Sequence, residues 1–268
     1  MKKVTRIIMS ALCAAVMCVS AVMLGACGNN TASITVSGSS SVTPIMEKLA
    51  AEYEKTHDVR ITINMSSSGN GIKDTQNGNN DFGMSSRDLK ESETDTVEGK
   101  VLCRDGIALI VSNGCAVDNV TKADVKALFE SGTAIPGTSI TAGVGRDSGS
   151  GTRSAFDELI GLESYHTSVS TLAETGNVIE SIRNSNNSIG YISFGSLNSS
   201  VKAVKLDGVE CTTENIVNGS YALQRPFVIV LKKGAKLSEA AQGFYDYIMG
   251  EEAQSIITAN KYISTKTH

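Results

Sequence analysis

Gly145-Arg146-Asp147-Ser148-Gly149-Ser150-Gly151-Thr152-Arg153-Ser154-Ala155-Phe156 joins a strand-like run, Ile140 to Gly145, to a segment of helical periodicity that carries Ala155, Phe156, Leu159 and Ile160 and stops near Gly161. Glycines let a backbone approach a ligand closely, the first N–H groups of a helix have no partner within it, and its dipole favours negative charge there. Such a junction can hold an anion. Two similar junctions precede it, Gly38-Ser39-Ser40-Ser41-Val42-Thr43-Pro44 and Ser66-Ser67-Ser68-Gly69-Asn70-Gly71. Ordinary N-caps and turns explain any one of them. Three together, one with Arg146 beside it, favour a shared ligand. The arginine itself has two readings: an ion pair with Asp147 or a distant carboxylate, or a bidentate grip on a tetrahedral oxyanion. Ser150 lies four positions after Arg146, so the guanidinium and the helix N-terminus can reach the same ligand.

Working outward, strand-like and helix-like segments alternate. Ile34-Thr35-Val36 leads into the first junction, where Pro44 suits a first helical position and Ile45, Leu49 and Tyr53 recur every four residues. Val59, Ile61, Ile63 and Met65 alternate as a strand, Ile72 to Gln76 begins a short helix, and Asp81 to Ser85 is a third strand. This βαβαβ order predicts a parallel sheet. Further on come strands at Ile107–Val111, Ile189–Ser193, Val201–Leu206 and Pro226–Leu231. A helix is capped by Thr121 and stopped by Gly132, another carries Val178, Ile179 and Ile182, and two close the chain at about Ser238–Met249 and Glu251–Ala259. The expected class is α/β. Without a Pro- or Gly-rich linker, two lobes are expected to exchange the chain through short strand segments near Asp105–Ile107 and Arg225–Phe227, giving lobe 1 as 34–106 with 227–268 and lobe 2 as 107–226. Junctions at the carboxyl ends of parallel strands are where open α/β sheets bind ligands, and a cleft between lobes would let all three converge.

The N-terminus reads as an export signal: Lys2, Lys3 and Arg6, then an apolar run from Ile7 to Leu24. A transmembrane anchor is the alternative. Leu24-Gly25-Ala26-Cys27 resembles a bacterial lipobox, which implies removal of 1–26, lipid attachment at Cys27, residues 27–33 as a tether, and a globular part held at the outer side of the cell membrane. Without 1–26 the balance is 21 basic to 28 acidic residues. That balance, with no tryptophan and no basic run interleaved with aromatics, argues against a nucleic-acid partner. A small anion remains allowed, because backbone dipoles and one arginine act at contact distance. Beyond the signal and the lipid site Cys27, three cysteines remain, Cys103, Cys115 and Cys211, an odd number that reads as buried free thiols. His57, His166 and His268 are isolated, and no spacing suits a metal.

Enzymatic readings have little to stand on. The glycines of a nucleophile elbow are displaced around Ser148 and Ser150, Ser199-Ser200-Val201-Lys202 lacks the companion motifs of a serine–lysine enzyme, and no phosphate-binding G-x-x-x-x-G-K-[ST] loop occurs. A hydrolase using Ser41 or Ser150 is the remote alternative.

Arg146 through Thr152, together with Gly38–Pro44, Ser67-Ser68-Gly69, Asp81-Phe82-Gly83-Met84-Ser85-Ser86 and Asn187-Ser188-Ile189-Gly190-Tyr191, resembles the phosphate-binding proteins of bacterial phosphate ABC transporters over nearly the whole chain beyond the signal. The resemblance implies a two-lobed periplasmic-binding-protein-like fold of type II, each lobe a mainly parallel sheet flanked by helices. It implies a monomer without cofactor or catalysis that closes on one phosphate and delivers it to a membrane permease. It assigns Arg146 as the charged ligand, Ser150, Gly151 and Thr152 as hydroxyl and N–H donors, Ser67 as the hydroxyl of the second junction, and Val42 and Thr43 as backbone donors. Val42 lacks the hydroxyl the family has there, which Ser41 or Thr43 replaces. Where the family commonly has an aspartate that takes the proton of hydrogen phosphate, this chain has Ser86. Asp88, Asp147 or a carbonyl are the candidates for that acceptor, Arg87 is a further candidate ligand, and a receptor for another tetrahedral oxyanion such as sulfate is the nearest alternative.

Overall fold

The computed structural model describes residues 31–265; the expected signal over 1–26 and the expected lipid site Cys27 lie outside the described residues. The first strand, β1 (Ala32–Ser39), runs into helix α1 (Thr43–Glu54), which opens on Pro44 and buries Ile45, Leu49 and Tyr53 along one face. Strand β2 (Val59–Ser66) leads to α2 (Ser68–Asn77), and β3 (Phe82–Ser85) follows. The order then runs β4 (Val97–Ser112), β5 (Asn119–Val120), α3 (Lys122–Ser131), β6 (Ala142–Arg146), α4 (Gly151–Ile160), β7 (Ser170–Leu172), α5 (Thr175–Arg183) and β8 (Ser188–Ser193). The chain closes through β9 (Val201–Ala203), β10 (Lys205–Leu206), α6 (Thr213–Val217), β11 (Gln224–Lys232), α7 (Glu239–Ile248), α8 (Glu251–Ala259) and β12 (Ile263–Ser264).

The helix ends follow local chemistry. Thr121 and Ser150 each accept a hydrogen bond from the third N–H of the helix they precede, and Gly132 and Gly161 stop those helices in the left-handed region. Gly38 is needed for a different reason. A Cβ there would stand 2.3 Å from the Met84 carbonyl oxygen, and φ is +136°, so β1 lies against β3 at a distance only glycine allows.

Ten strands form one sheet in the order β2-β1-β3-β11-β4-β8-β6-β7, with β9 and β12 also paired to β4. Pairing is parallel for β1 with β3 and for β6 with β7 and β8. Strands β4 and β11 are antiparallel to all their neighbours. The sheet is therefore less uniformly parallel at its centre than βαβ alternation suggests, because the chain runs straight along β4 and β11 instead of returning through a crossover helix. The strand expected at Ile107–Val111 is the end of β4, which is 16 residues long. Its first half alternates too little to be legible: Glu98 to Val101 are exposed and only Val97, Leu102 and Cys103 are buried. Val201–Leu206, expected as one strand, divides into β9, which pairs with β4, and β10, which pairs with β5.

Two main apolar clusters lie along this sheet. One gathers Ile34, Leu49, Phe82, Leu102, Phe227 and Phe244; the other gathers Ile107, Leu109, Phe129, Phe156, Tyr191 and Leu223. Each fully buried side chain of this size contributes roughly 1.5–3 kcal/mol relative to exposure. The change from one cluster to the other falls between Cys103 and Ile107 on β4 and between Leu223 and Phe227 at β11. At that change Asp105 and Arg225 are register partners and form a buried ion pair of 3.2 Å. Cys103, Cys115 and Cys211 are buried free thiols. Among the described residues no helix is long and apolar enough to cross a membrane, and no group of three or more His, Cys, Asp or Glu is placed to hold a metal.

Candidate functional site

Arg146 is the last residue of β6, and its side chain is held from behind. Its N–H donates to the Tyr191 hydroxyl at 3.1 Å, and Tyr191 stacks on Phe156 with ring centroids 3.9 Å apart. The parallel pairing of β6 with β8 brings these residues together, and Tyr165 adds a 2.6 Å hydroxyl contact to Tyr191. Arg153 lies over the Tyr165 ring and donates to the Arg146 carbonyl at 3.1 Å. The backbone that carries the guanidinium is thus fixed by packing.

Arg146 is 2% exposed. It donates from Nε to the Leu172 carbonyl, from Nη1 to Thr175 Oγ1 at 3.1 Å, and from Nη2 to Ser40 Oγ at 3.1 Å and the Ala173 carbonyl. All these partners are neutral, and among the described residues no carboxylate forms an ion pair with it. Burial is the main influence on its pKa and pulls it down; Tyr191, Asp147 and Glu174 act against that from farther off, and the Arg225 charge adds to it. A buried cation with neutral partners retains an unmet desolvation cost of several kcal/mol, which an anion in contact would offset.

Around it lie seven buried hydroxyls, those of Ser39, Ser40, Ser41, Ser68, Ser86, Thr152 and Thr175. Thr175 Oγ1 is 3.2 Å from Ser41 Oγ, and Ser41 Oγ is 2.9 Å from Thr152 Oγ1. Thr152 Oγ1 reaches Ser86 Oγ at 3.5 Å, while Ser39 donates to Ser86 Oγ at 2.9 Å. Ser68 Oγ accepts the Ser86 N–H at 3.1 Å. Apart from Ser86, which follows β3, the residues come from the starts of four helices, α1, α2, α4 and α5, so four N-terminal dipole ends meet there. The Gly69 N–H donates to the Gly149 carbonyl at 3.1 Å. A Cβ on Gly151 would stand 2.3 Å from Ser68 Oγ and 2.9 Å from Ser86 Oγ.

The residues singled out in the sequence fall in distinct places. Ser41, Ser86, Arg146 and Thr152 are in the hydroxyl ring, and Gly151 forms part of its wall. Ser150 is buried beside it, but its Oγ accepts the Arg153 N–H as the cap of α4. Ser67 stands at the edge, its Oγ accepting the Asn70 N–H, while its neighbour Ser68 points into the ring. Val42 packs into the apolar cluster and its N–H donates to the Ser39 carbonyl at 3.0 Å; the Thr43 hydroxyl donates to the same carbonyl at 3.2 Å. Arg87 pairs with Glu93 through two 2.8 Å bonds, and Asp88 is exposed. Ser39, Ser40, Ser68 and Thr175 were not singled out. The first three sit inside the quoted junctions, where nothing local tells which hydroxyl turns inward. Glu174-Thr175-Gly176-Asn177 is a fourth small, polar helix start that could have drawn attention to Thr175.

A model of the PBP superfamily domain matches residues 26–252. The crystal structure of a phosphate ABC transporter substrate-binding protein from Clostridium perfringens, with bound phosphate, is 37% identical. It superposes with a TM-score of 0.82 over 87% of this chain and 100% of that one. The chain belongs to the PBP superfamily and, within it, to the family of phosphate ABC transporter substrate-binding proteins. That is a family of transporter receptors and not of enzymes. Phosphate-binding protein PstS 2 of Streptococcus agalactiae serotype V is 43% identical over 130 residues, so the match spans 45% of this chain and 44% of that relative. Phosphate-binding protein PstS of Staphylococcus epidermidis is 28% identical over 91% of this chain and 86% of its own length.

Proposed function

We propose that this chain is a lipid-anchored receptor that captures inorganic phosphate and delivers it to the permease of an ABC transporter. The observation that carries the proposal is Arg146: a residue 2% exposed whose guanidinium bonds only to neutral groups, inside a ring of hydroxyls and four helix N-termini. A tetrahedral anion supplies the missing charge and takes the hydroxyl and N–H donors. The bound phosphate in the relative from Clostridium perfringens and the phosphate-binding protein of Staphylococcus epidermidis support phosphate as that anion.

In this reading, residues 34–106 with 227–268 form one lobe and 107–226 the other. The change of apolar cluster at Asp105 and Arg225 supports that division. Ser41, Ser68 and Ser86 come from the first lobe, with Ser67 at its rim and Val42 and Thr43 behind. Arg146, Ser150, Gly151, Thr152 and Thr175 come from the second. Opening separates the Gly69–Gly149 bond and the Ser41–Thr152 contact, and phosphate between the lobes draws them together. Lipid attachment at Cys27 would hold the receptor, as a monomer, on the outer face of the cell membrane near its permease.

Calorimetric titration of the full chain in detergent with phosphate tests the reading. Saturable binding is expected, with Arg146→Ala weaker by at least about thirtyfold, since truncating one member of a buried charge pair costs about 2–5 kcal/mol. A full chain that folds and gives no heat with phosphate would overturn it.

A further inference from the structure

Arg146 reaches the hydroxyl ring from the end of a strand that has lost one of its neighbours. The ladder of β6 with β8 stops at Val144–Gly190, while that with β7 continues to Arg146–Leu172. The Asp147 N–H goes to the Leu172 carbonyl at 3.1 Å, and backbone groups alternate sides along a strand, so the N–H and carbonyl of Arg146 face the side that β8 has left. Buried backbone groups need partners, and here side chains supply them. The N–H donates to the Tyr191 hydroxyl at 3.1 Å, and the carbonyl accepts from Arg153 Nη1 at 3.1 Å.

Both partners meet on one residue. The Tyr165 hydroxyl is 2.6 Å from that of Tyr191, and the Arg153 guanidinium lies over the Tyr165 ring, 3.9 Å from its centroid. Arg153 is held there from its other side by Asp157, whose Oδ2 accepts from Nε at 3.3 Å. The sequence makes room for the ring: a Cβ on Gly145 would stand 2.4 Å from Tyr165 Cε2, so only a residue without a side chain lets the ring lie against the strand directly before Arg146. The loop between α4 and β7 that carries Tyr165 is pinned one residue on, where the His166 N–H donates to the Phe129 carbonyl at 2.8 Å, and the Phe129 ring meets that of Tyr165 edge-on at 5.5 Å. Burial, and after it the charges of Tyr191 and Asp157, hold the Tyr165 phenol well above its ordinary pKa, so it stays neutral and keeps its hydrogen to give.

A guanidinium sits where its Cα puts it. The fork of Arg146 has to meet an anion together with the Ser40 and Thr175 hydroxyls, a fit that tolerates a displacement of only about 0.5 Å. Resting on the phosphate reading above, we infer that Tyr165, which lies outside the hydroxyl ring, is a positioning residue for phosphate capture: through Tyr191 and Arg153 it fixes both backbone groups of Arg146, and Gly145 admits its ring.

The test is calorimetric titration of the full chain in detergent with phosphate, at a temperature where melting curves show each variant folded, on the wild type, Tyr165→Phe, Arg146→Ala and the double variant, with phosphate extended to the concentrations that Arg146→Ala requires. Tyr165→Phe keeps the ring against Gly145 and beneath Arg153 and removes only the hydroxyl. Phosphate is expected to bind it about fivefold more weakly, the worth of one hydrogen bond. With Arg146→Ala in place the same substitution is expected to change affinity by less than about twofold, because its effect runs through the guanidinium. A residue that only supports the fold lowers the melting temperature and leaves the dissociation constant of the folded protein alone, so an unchanged constant in Tyr165→Phe overturns the inference. Equal weakening on both backgrounds overturns it as well. If Tyr165→Phe does not fold, Arg153→Met, which releases the Arg146 carbonyl, takes its place under the same two criteria. A wild type that gives no heat with phosphate removes the phosphate reading itself, and this inference with it.

Discussion

Gly151 shows at the scale of one residue how binding and stability pull apart. It is the first residue of α4, and alanine there improves helix propensity by up to about 1 kcal/mol. Yet a Cβ at that point enters the space of Ser68 Oγ, at the start of α2, and of Ser86 Oγ, just after β3. Gly151→Ala is therefore expected to leave the melting temperature unchanged or slightly raised and to weaken phosphate binding by at least about tenfold, of the order of an overpacking strain. Melting and titration of the same sample check it, and a parallel loss of both would show that Gly151 serves the fold rather than the site. Arg146→Lys is the companion. It keeps a charge but loses the planar fork that reaches Ser40 and Thr175 together, so binding between wild type and Arg146→Ala is expected.

Among elements, the helix caps separate structure from function. Ser150 and Thr121 make the same bond to their helices, so Ser150→Ala and Thr121→Ala should each lower unfolding stability by about 1 kcal/mol in denaturant titrations. Phosphate affinity should fall only for Ser150→Ala, whose helix start lies at the site. Strands β4 and β11 carry a larger effect. Asp105→Asn would leave Arg225, 1% exposed at its side chain, without its counter-charge, and a loss of about 3–5 kcal/mol is expected. The Ser86 carbonyl bonds Arg225 Nη1, so the same change should disturb phosphate binding, although Asp105 does not line the ring.

For the whole molecule, the buried phenols and thiols predict its response to alkali. Burial is the largest cause raising the pKa of Tyr165, Tyr191, Tyr221, Tyr262, Cys103 and Cys211 above their ordinary values. Unfolded, these groups lose protons from about pH 8.5 for the thiols and about pH 10 for the phenols. Folded, they hold them to higher pH. The native state then binds more protons than the unfolded one, so stability is fully present below those values and falls as pH rises through them. Urea midpoints should decline steadily from about pH 9 to pH 11, and a flat profile would contradict the burial of these groups. Phosphate at a hundred times its dissociation constant should add about 2.7 kcal/mol, visible as a raised melting temperature absent in Arg146→Ala.

Local chemistry alone was enough for most elements and for three of the four helix starts at the site. Caps, left-handed glycines and periodic apolar residues act within a few positions, so Thr121, Ser150, Gly132 and Gly161 could be placed from the sequence. The tertiary structure decided what depends on distance. It fixed which of adjacent serines faces inward, Ser68 and not Ser67; it added Thr175 from a fourth helix; and it spent the Val42 N–H and the Thr43 hydroxyl on the Ser39 carbonyl. It also joined Asp105 to Arg225 and drew β4 out to 16 residues, a pairing that depends on a strand more than a hundred positions away. Periodicity reports which face of an element is apolar. Which polar groups meet on the other side is set by the partner that closes over them.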